Sequence, residues 1–293
     1  MRSALLVAGL VLGVACVPEP DKLTDDSIEV FDADSVLGEI QATGRLVVAI
    51  DPGAPPISSI DPSSGEPEGL GIELAELVAR ALGVETSYRR APSDDLAGIV
   101  AAGAADIAFP PTSLTTPRLK SNPYTNPYYV GHQRLLVPRG SPVDSVDDLA
   151  GKQVCSFIDP ETEISLDGLD PEIDVDPAST LGYCVEALER GDVDAVTSSD
   201  LNLMRLAATG PGWRIAGEQL TTEGYGAMVP PGAASFADFV DAVMREARLD
   251  GLSAPWYEEW IAPLGEEDSV AEPPELTAEE VAAFFPEESI APE

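Results

Sequence analysis

Arg118 follows Ser113 by five residues and Thr115 by three in the run DIAFPPTSLTTPRLKSNPYTNPYY, residues 106–129. Those residue types at that spacing describe a grip for a carboxylate. A guanidinium offers a planar fork of N–H donors that matches two carboxylate oxygens, and a serine hydroxyl with the free N–H groups of a helix start adds further donors. The local sequence predicts such a start. Ile107, Ala108 and Phe109 read as a short apolar strand that Pro110 and Pro111 end, and Thr115 before Thr116 and Pro117 has the pattern of a helix cap with proline in the first turn. Arg118 then falls on the opening turn, and Asp106 reads as structural. His132 is the chain's only histidine, which leaves no histidine pair for a metal and no base for a serine nucleophile, so neither a metal nor a cofactor is expected.

The elements that must position this run alternate along the chain. LVVAI at 46–50, a helix over 72–82 closed by Gly83, ETSYRR, a helix after Ser93 and DIAF form a βαβαβ unit. Its strands are apolar throughout, which implies burial on both faces and a parallel sheet covered by helices. A second unit follows Val137, with KQVCSF, a helix around 179–188, DVDAVTS and a helix over 201–207. YGAMVP at 225–230 reads as one more strand, with helices over 236–249 and 254–261 after it, and Trp213, Trp256 and Trp260 as core. The expectation is an α/β chain with two lobes, each a mostly parallel sheet covered by helices.

The run at 106–129 resembles the type II periplasmic solute-binding proteins of family 3, the polar amino acid receptors of ABC importers. Asp106, Pro111, Ser113, Thr115 and Arg118 occupy the places of the family's pattern of D, G, T, T and R, and Tyr124, Thr125, Pro127, Tyr128 and Tyr129 occupy its FSxPYY. The resemblance spans roughly residues 44–264, through GRLVVAID, GLGIELAELVARALG, SVDDLAGKQV and ALERGDVDAV. It implies that Arg118 binds a ligand's α-carboxylate, that Ser113 adds a hydroxyl and that Pro111 supplies a carbonyl to the α-amino group. It further implies a discontinuous first lobe of residues 41–137 plus 224–264, a second lobe of 138–223, hinges near 136–139 and 220–224, and a cleft that closes on the ligand. Tyr128 and Tyr129 read as packing between the lobes.

Several positions depart from the family. Ala54 and Leu96 stand where it has ligand-stacking aromatic rings, while Asp51 keeps the acid that follows the first strand. The aspartate expected to hold an α-ammonium is Ser199, with Asp200 next to it as a substitute. Asp159, Pro160, Glu161 and Thr162 replace a Gly-Thr turn, and Thr162 stands in for its contact with the carboxylate. The ligand-facing set is thus Asp51, Ala54, Leu96, Pro111, Ser113, Arg118, Thr162, Ser199 and Asp200.

The start of the chain carries Arg2, an apolar stretch over 4–15 and then Cys16. That is a secretory signal over 1–16, and it resembles a lipobox that makes Cys16 the lipidated first residue of the mature chain. A Pro- and Asp-rich tether over 17–40 follows. Export makes Cys155 and Cys184 candidates for a disulfide, and actinobacterial members resembling this chain carry a pair at those places. Residues 265–293 form an acidic tail, expected to be mostly disordered, in which TAEE at 277–280 resembles a capping box.

Formal net charge is −36, with three lysines against thirteen arginines, which excludes nucleic acid as a partner. A saline habitat and drift in a GC-rich genome are alternative origins of this acidity. The reading that follows is not an enzyme but a monomeric, lipid-anchored binding protein on the outer face of the membrane, capturing a small carboxylate-bearing solute for an ABC permease. Two alternatives stand beside it. One is an exported cyclohexadienyl dehydratase using Asp51, Glu161 or Asp200 as its acid, and the other is a ligand sensor without transport.

Overall fold

The computed structural model describes residues 28–157, 173–178, 180–209, 212–264 and 273–285. Cys16 and the segment with Asp159, Pro160, Glu161 and Thr162 lie outside the described residues.

Helix α1 (Val36–Thr43) opens the described fold, with Ser35 as its cap accepting from the Gly38 N–H. It starts inside the stretch expected as a tether, because Leu37 and Ile40 provide an apolar side that is buried. The first lobe continues through β1 (Arg45–Ile50), the short hairpin β2 (Ser59–Ile60) and β3 (Pro67–Glu68), α2 (Leu70–Leu82), β4 (Glu85–Arg90), α3 (Ser93–Ala101), β5 (Ile107–Ala108), α4 (Thr116–Ser121) and β6 (Tyr124–Gly131). In α2, Leu70, Leu74, Leu77, Val78 and Leu82 are buried, and Gly83 ends the helix at φ 70°, its N–H returning to the Ala79 and Arg80 carbonyls. Only a residue at ease in the left-handed region closes a helix this way.

The second lobe holds β7 (Gln133–Pro138), β8 (Gln153–Ser156), β9 (Asp174–Pro177), α5 (Leu181–Arg190), β10 (Ala195–Ser199), α6 (Asp200–Thr209) and β11 (Trp213–Ala216). The chain then returns through β12 (Glu223–Met228), α7 (Ala234–Leu249), α8 (Ala254–Trp260) and, after an undescribed gap, α9 (Ala278–Phe284). The larger sheets run β4-β1-β5-β12-β6 and β11-β7-β10-β8-β9. β1 is parallel to β4 and β5, and β8 to β9 and β10, as the apolar strands predict. The segments that pass between lobes add antiparallel pairs, β12 with β5 and β6 and β7 with β10 and β11, so both sheets are mixed.

Sheet membership moves the first crossing upstream of the expected 136–139. Gln133–Pro138 pairs wholly within the second sheet, and His132 alone joins it to β6 of the first. The return crossing lies between Ala216 and Glu223. The first crossing is pinned by Asp200, whose Oδ2 accepts from the His132 N–H at 2.9 Å and whose Oδ1 accepts from the Leu201 N–H at 2.7 Å, while its own N–H donates to the His132 carbonyl at 2.7 Å. The Tyr129 hydroxyl also bonds this carboxylate. Gly131 is required here, since a Cβ would lie 2.9 Å from Asp200 Oδ1 and 2.9 Å from the Tyr225 ring.

The acidic tail is not solvated along its whole length. Thr277 and Glu280 cap α9 reciprocally, Arg248 pairs with Glu275 at 3.3 Å, and Phe285 packs on the cluster of Leu96, Leu119, Tyr124 and Met228. Phe284 lies against Gly224, where a Cβ would meet its ring at 2.8 Å.

Cys155 on β8 and Cys184 on α5 are bonded, 29 residues apart and fully buried. Closing a loop of that length restricts the unfolded chain by roughly 3 to 4 kcal/mol. Cys155→Ser with Cys184→Ser is expected to lower unfolding free energy by about that amount in a denaturant titration.

Burial raises Asp200 to about 6 and, on α7, raises Asp241 to about 7, where Asp238 adds to the effect and the Asn126 N–H and Arg245 oppose it. Both lie above the ordinary aspartate value of about 3.9. The stability these groups give is full below that value and is lost as pH rises through 6 and 7. We therefore expect the melting temperature to rise by at least about 4 °C from pH 8 to pH 5.5, and Asp241→Asn to flatten the slope. A flat or falling profile contradicts this assignment.

Candidate functional site

The grip run leaves the carboxyl end of β5, beside the carboxyl end of its parallel neighbour β1. Thr115 caps α4 with its hydroxyl accepting from the Arg118 N–H, and Pro117 sits in the first turn, as the sequence predicts. The half-buried Arg118 turns its Nη1 onto the Ser113 carbonyl at 2.9 Å. That bond closes the loop on itself and fixes the direction of the fork. The Leu114 N–H donates to the Gly224 carbonyl at 2.7 Å, which ties the grip loop to the return crossing. Ser113 is 5% exposed.

Facing this pair is a carboxylate that the sequence reading did not single out. Glu223, the first residue of β12, accepts from the Thr221 hydroxyl at 2.9 Å. Thr221 is itself fixed by the first crossing, since its hydroxyl accepts from the Gln133 N–H at 2.8 Å and its carbonyl meets His132 Nδ1 at 2.6 Å. A carbonyl only accepts, so Nδ1 carries the histidine proton. Burial pushes the Glu223 carboxyl above its ordinary range, opposed by the Thr221 hydroxyl, the His132 ring, the Ser113 hydroxyl and the Arg118 guanidinium. Ser113 and Arg118 thus both lie within the field of this carboxylate.

Tyr225 gathers the remaining groups. Its buried phenol is pushed well above its usual range by burial and then by the charges of Glu223 and Asp200, while the Ser199 hydroxyl and Arg118 oppose the shift. Its ring meets that of Tyr129 edge to face, with centroids 5.5 Å apart. Ser199 and Asp200 stand at the carboxyl end of β10, so loops at strand ends of both sheets converge on this tyrosine. Crevices outside such strand ends are where open α/β sheets take ligands. Asp200 is 6% exposed, and its oxygens serve the crossing.

Other expected contacts have local duties. Asp51 Oδ1 accepts from the Gly53 N–H at 2.8 Å, and Oδ2 accepts from the N–H and hydroxyl of Ser93 at the start of α3. Oδ1 thus holds the turn after β1, and Oδ2 joins that turn to the start of α3. Ala54 lies in that turn, bridged to Ser58. Leu96 is 1% exposed and packs with Ala49, Val100 and Met228 in the first lobe's core. Pro111 is half-buried at the foot of the grip, next to Pro110, whose carbonyl accepts from the Tyr128 hydroxyl at 2.7 Å. Thr162 lies outside the described residues.

Nothing in the sequence marks Glu223, one of 52 acids. Its place in the expected return hinge, just before a Gly-Tyr-Gly strand, was the available signal. A cavity of about 160 Å³ lies elsewhere, between β6, α7, α8 and the segment at 273–281, lined by Asn126, Asp241, Arg245 and Leu276 among others. Among the described residues no group of three or more His, Cys, Asp or Glu side chains is arranged to hold a metal ion.

Chemically, the arrangement presents a guanidinium held on the Ser113 carbonyl beside a buried hydroxyl, within the field of the Glu223 carboxylate. Asp51 and Asp200, two of the acids a dehydratase would call upon, spend their oxygens on a turn and a helix start.

Known proteins share both the sequence and the shape. The chain is 27% identical over 205 residues to the ABC transporter glutamine-binding protein of Bacillus subtilis, covering 69% of this chain and 75% of the relative. It is 24% identical over 243 residues to the L-cystine-binding protein of Escherichia coli strain K12, covering 80% and 89%. A crystal structure of a mutant ArgBP from T. maritima superposes with a TM-score of 0.63 at 26% identity, covering 77% of this chain and 99% of that one. The model of bacterial extracellular solute-binding proteins, family 3, matches residues 46–263. The match embraces both lobes, the two crossings and the grip, and the chain belongs to that family.

Proposed function

We propose that this protein is the extracytoplasmic receptor of an ABC importer, held to the membrane by a lipid on Cys16, and that it captures a small carboxylate-bearing solute, an amino acid or an analogue of one. The observation that carries the reading is the grip itself. Arg118 is fixed on the Ser113 carbonyl at 2.9 Å beside a buried serine hydroxyl, at a strand end next to the crossing between lobes. The glutamine-binding and L-cystine-binding relatives are named for α-amino acids, which carry the group such a grip accepts.

Two single-passage crossings, at His132 and between β11 and β12, suit rotation of one lobe on the other. Residues up to Gly131 together with those from Glu223 onward form one lobe, and the stretch between forms the other. Closure brings the second lobe's Ser199 toward a solute seated on Arg118 and removes the solute from water, which strengthens the ion pair. Ala54 and Leu96 stand where amino acid receptors carry stacking rings, and Leu96 is turned into the core, so cation–π attraction from those two places is absent.

The test is calorimetric titration of the purified full chain with the proteinogenic L-amino acids and their deaminated analogues, on wild type and Arg118→Ala. Removing one partner from a desolvated, hydrogen-bonded charge pair costs roughly 2 to 5 kcal/mol, so the variant's affinity is expected to fall by at least about thirtyfold. Equal affinity in the two proteins removes the grip from the account.

A further inference from the structure

The tail helix α9 lies beyond residues 46–263, the part of the chain that the family model matches, yet its phenylalanines reach the neighbours of the grip. Leu276, Val281, Phe284 and Phe285 are half-buried, while residues 277–280, Ala282 and Ala283 face water, so one apolar side of the tail is seated on the first lobe. At the near end of that seat Glu275 pairs with Arg248, but the Glu275 side chain is 84% exposed, and an ion pair so open to water holds little. The middle of the seat is not packed solid, since Pro273, Pro274 and Val281 share the lining of the cavity of about 160 Å³ with Asn126 and Met244. The hold on the tail therefore rests on the two phenylalanines. Phe284 lies on Gly224: a Cβ there would come within 2.8 Å of its ring and 2.7 Å of Pro127 Cγ, so strand and tail fit only because residue 224 is glycine. The Gly224 carbonyl accepts from the Leu114 N–H at 2.7 Å, and Leu114 is next to Ser113. Phe285 packs on the cluster that contains Leu119 and Tyr124, against which Leu114 also packs, and Leu119 follows Arg118 on α4.

We propose that the segment at 273–285 is a clamp for the grip: Phe284 and Phe285 are positioning residues that hold the loop and helix start at 113–119 against β12, so that Ser113 and Arg118 stand in register for a carboxylate while the tail is docked. Neither ring needs to touch the solute. Phe284 covers the strand whose carbonyl holds Leu114, and an apolar cover keeps water from competing for that hydrogen bond. Phe285 adds apolar contact to the cluster beneath α4. Undocking leaves both sheets intact, because every strand and the helices that cover them lie within residues 36–264. What it loosens is the local stability of the loop that carries Ser113, and a loop that must be ordered by its ligand binds that ligand less tightly.

This inference rests on reading Ser113 and Arg118 as a carboxylate grip, and hydrogen exchange on the ligand-free full chain separates the two. Phe284→Ala with Phe285→Ala is expected to speed exchange of the Leu114 N–H and of its neighbours over 113–119 by at least about tenfold, with β8 and β10 of the second lobe unchanged. Phe284→Leu with Phe285→Leu keeps the apolar bulk and is expected to stay within about threefold of wild type. Calorimetric titration with each proteinogenic L-amino acid is expected to show affinity about tenfold weaker in the alanine variant, and close to wild type in the leucine variant, for every one that wild type binds. Exchange at the grip equal to that of wild type overturns the proposal, as does faster exchange spread evenly over both lobes, which marks a general loss of stability. A loosened grip with unchanged affinity overturns the positioning role. Where wild type binds none of the amino acids, the exchange result alone decides. Failure of the grip reading is seen separately, as Arg118→Ala binding as well as wild type whatever the tail variants do.

Discussion

A chain that folds as two sheets can work by hinge motion only if the passages between them are few, short and held in register, and here one buried carboxylate supplies the register. Asp200 takes the N–H of His132 from the outgoing passage and the N–H of Leu201 from the helix it begins, and the Tyr129 hydroxyl reaches it from the end of β6. A charged group so enclosed is tolerated because its oxygens are met by donors fixed before it arrives. Packing around it leaves no room for a side chain at residue 131. The return passage is tied to the same crossing by Thr221, whose hydroxyl accepts from the Gln133 N–H and whose carbonyl meets His132 Nδ1, and the grip loop is held to β12 by the Leu114 N–H on the Gly224 carbonyl.

Charge gives the site its character. The molecule as a whole is strongly acidic, while the grip offers the Arg118 guanidinium and the Ser113 hydroxyl. An acidic field does not draw anions from a distance. Selectivity then rests on contact: a solute has to align a carboxylate with the fork and the Ser113 hydroxyl. Closing of the lobes adds dehydration, which rewards good alignment and penalises poor alignment.

Much of the fold was legible in the sequence because its signals are local. The apolar strands LVVAI and KQVCSF, the glycine stops at Gly83 and Gly191, the cap at Thr115 and the reciprocal cap of Thr277 with Glu280 are each decided by neighbouring residues. Long-range pairing decided what was missed. The sequence puts residues 133–137 in the first lobe, yet their cross-strand partners lie in the second sheet. Leu96 sits at the place of a family ring but turns into the core with Met228, a residue far away in sequence. Asp51 has the sequence context of a ligand group, yet Ser93 at the start of α3 uses its oxygens. Glu223 was invisible because an acid among many acids carries no local signature, and its place beside the grip follows only from the chain crossing back. The tail's helix was visible as a cap, whereas its seat on Gly224 was not.

The central claim, that a solute's carboxylate is held by Arg118 and Ser113 between two closing lobes, is tested most directly by a crystal structure of the protein with the tightest-binding solute from the titrations. The account predicts electron density for a carboxylate spanning the Arg118 guanidinium and the Ser113 hydroxyl, and the two sheets rotated toward each other about His132 and the 217–222 segment. A solute bound away from Arg118 would contradict it.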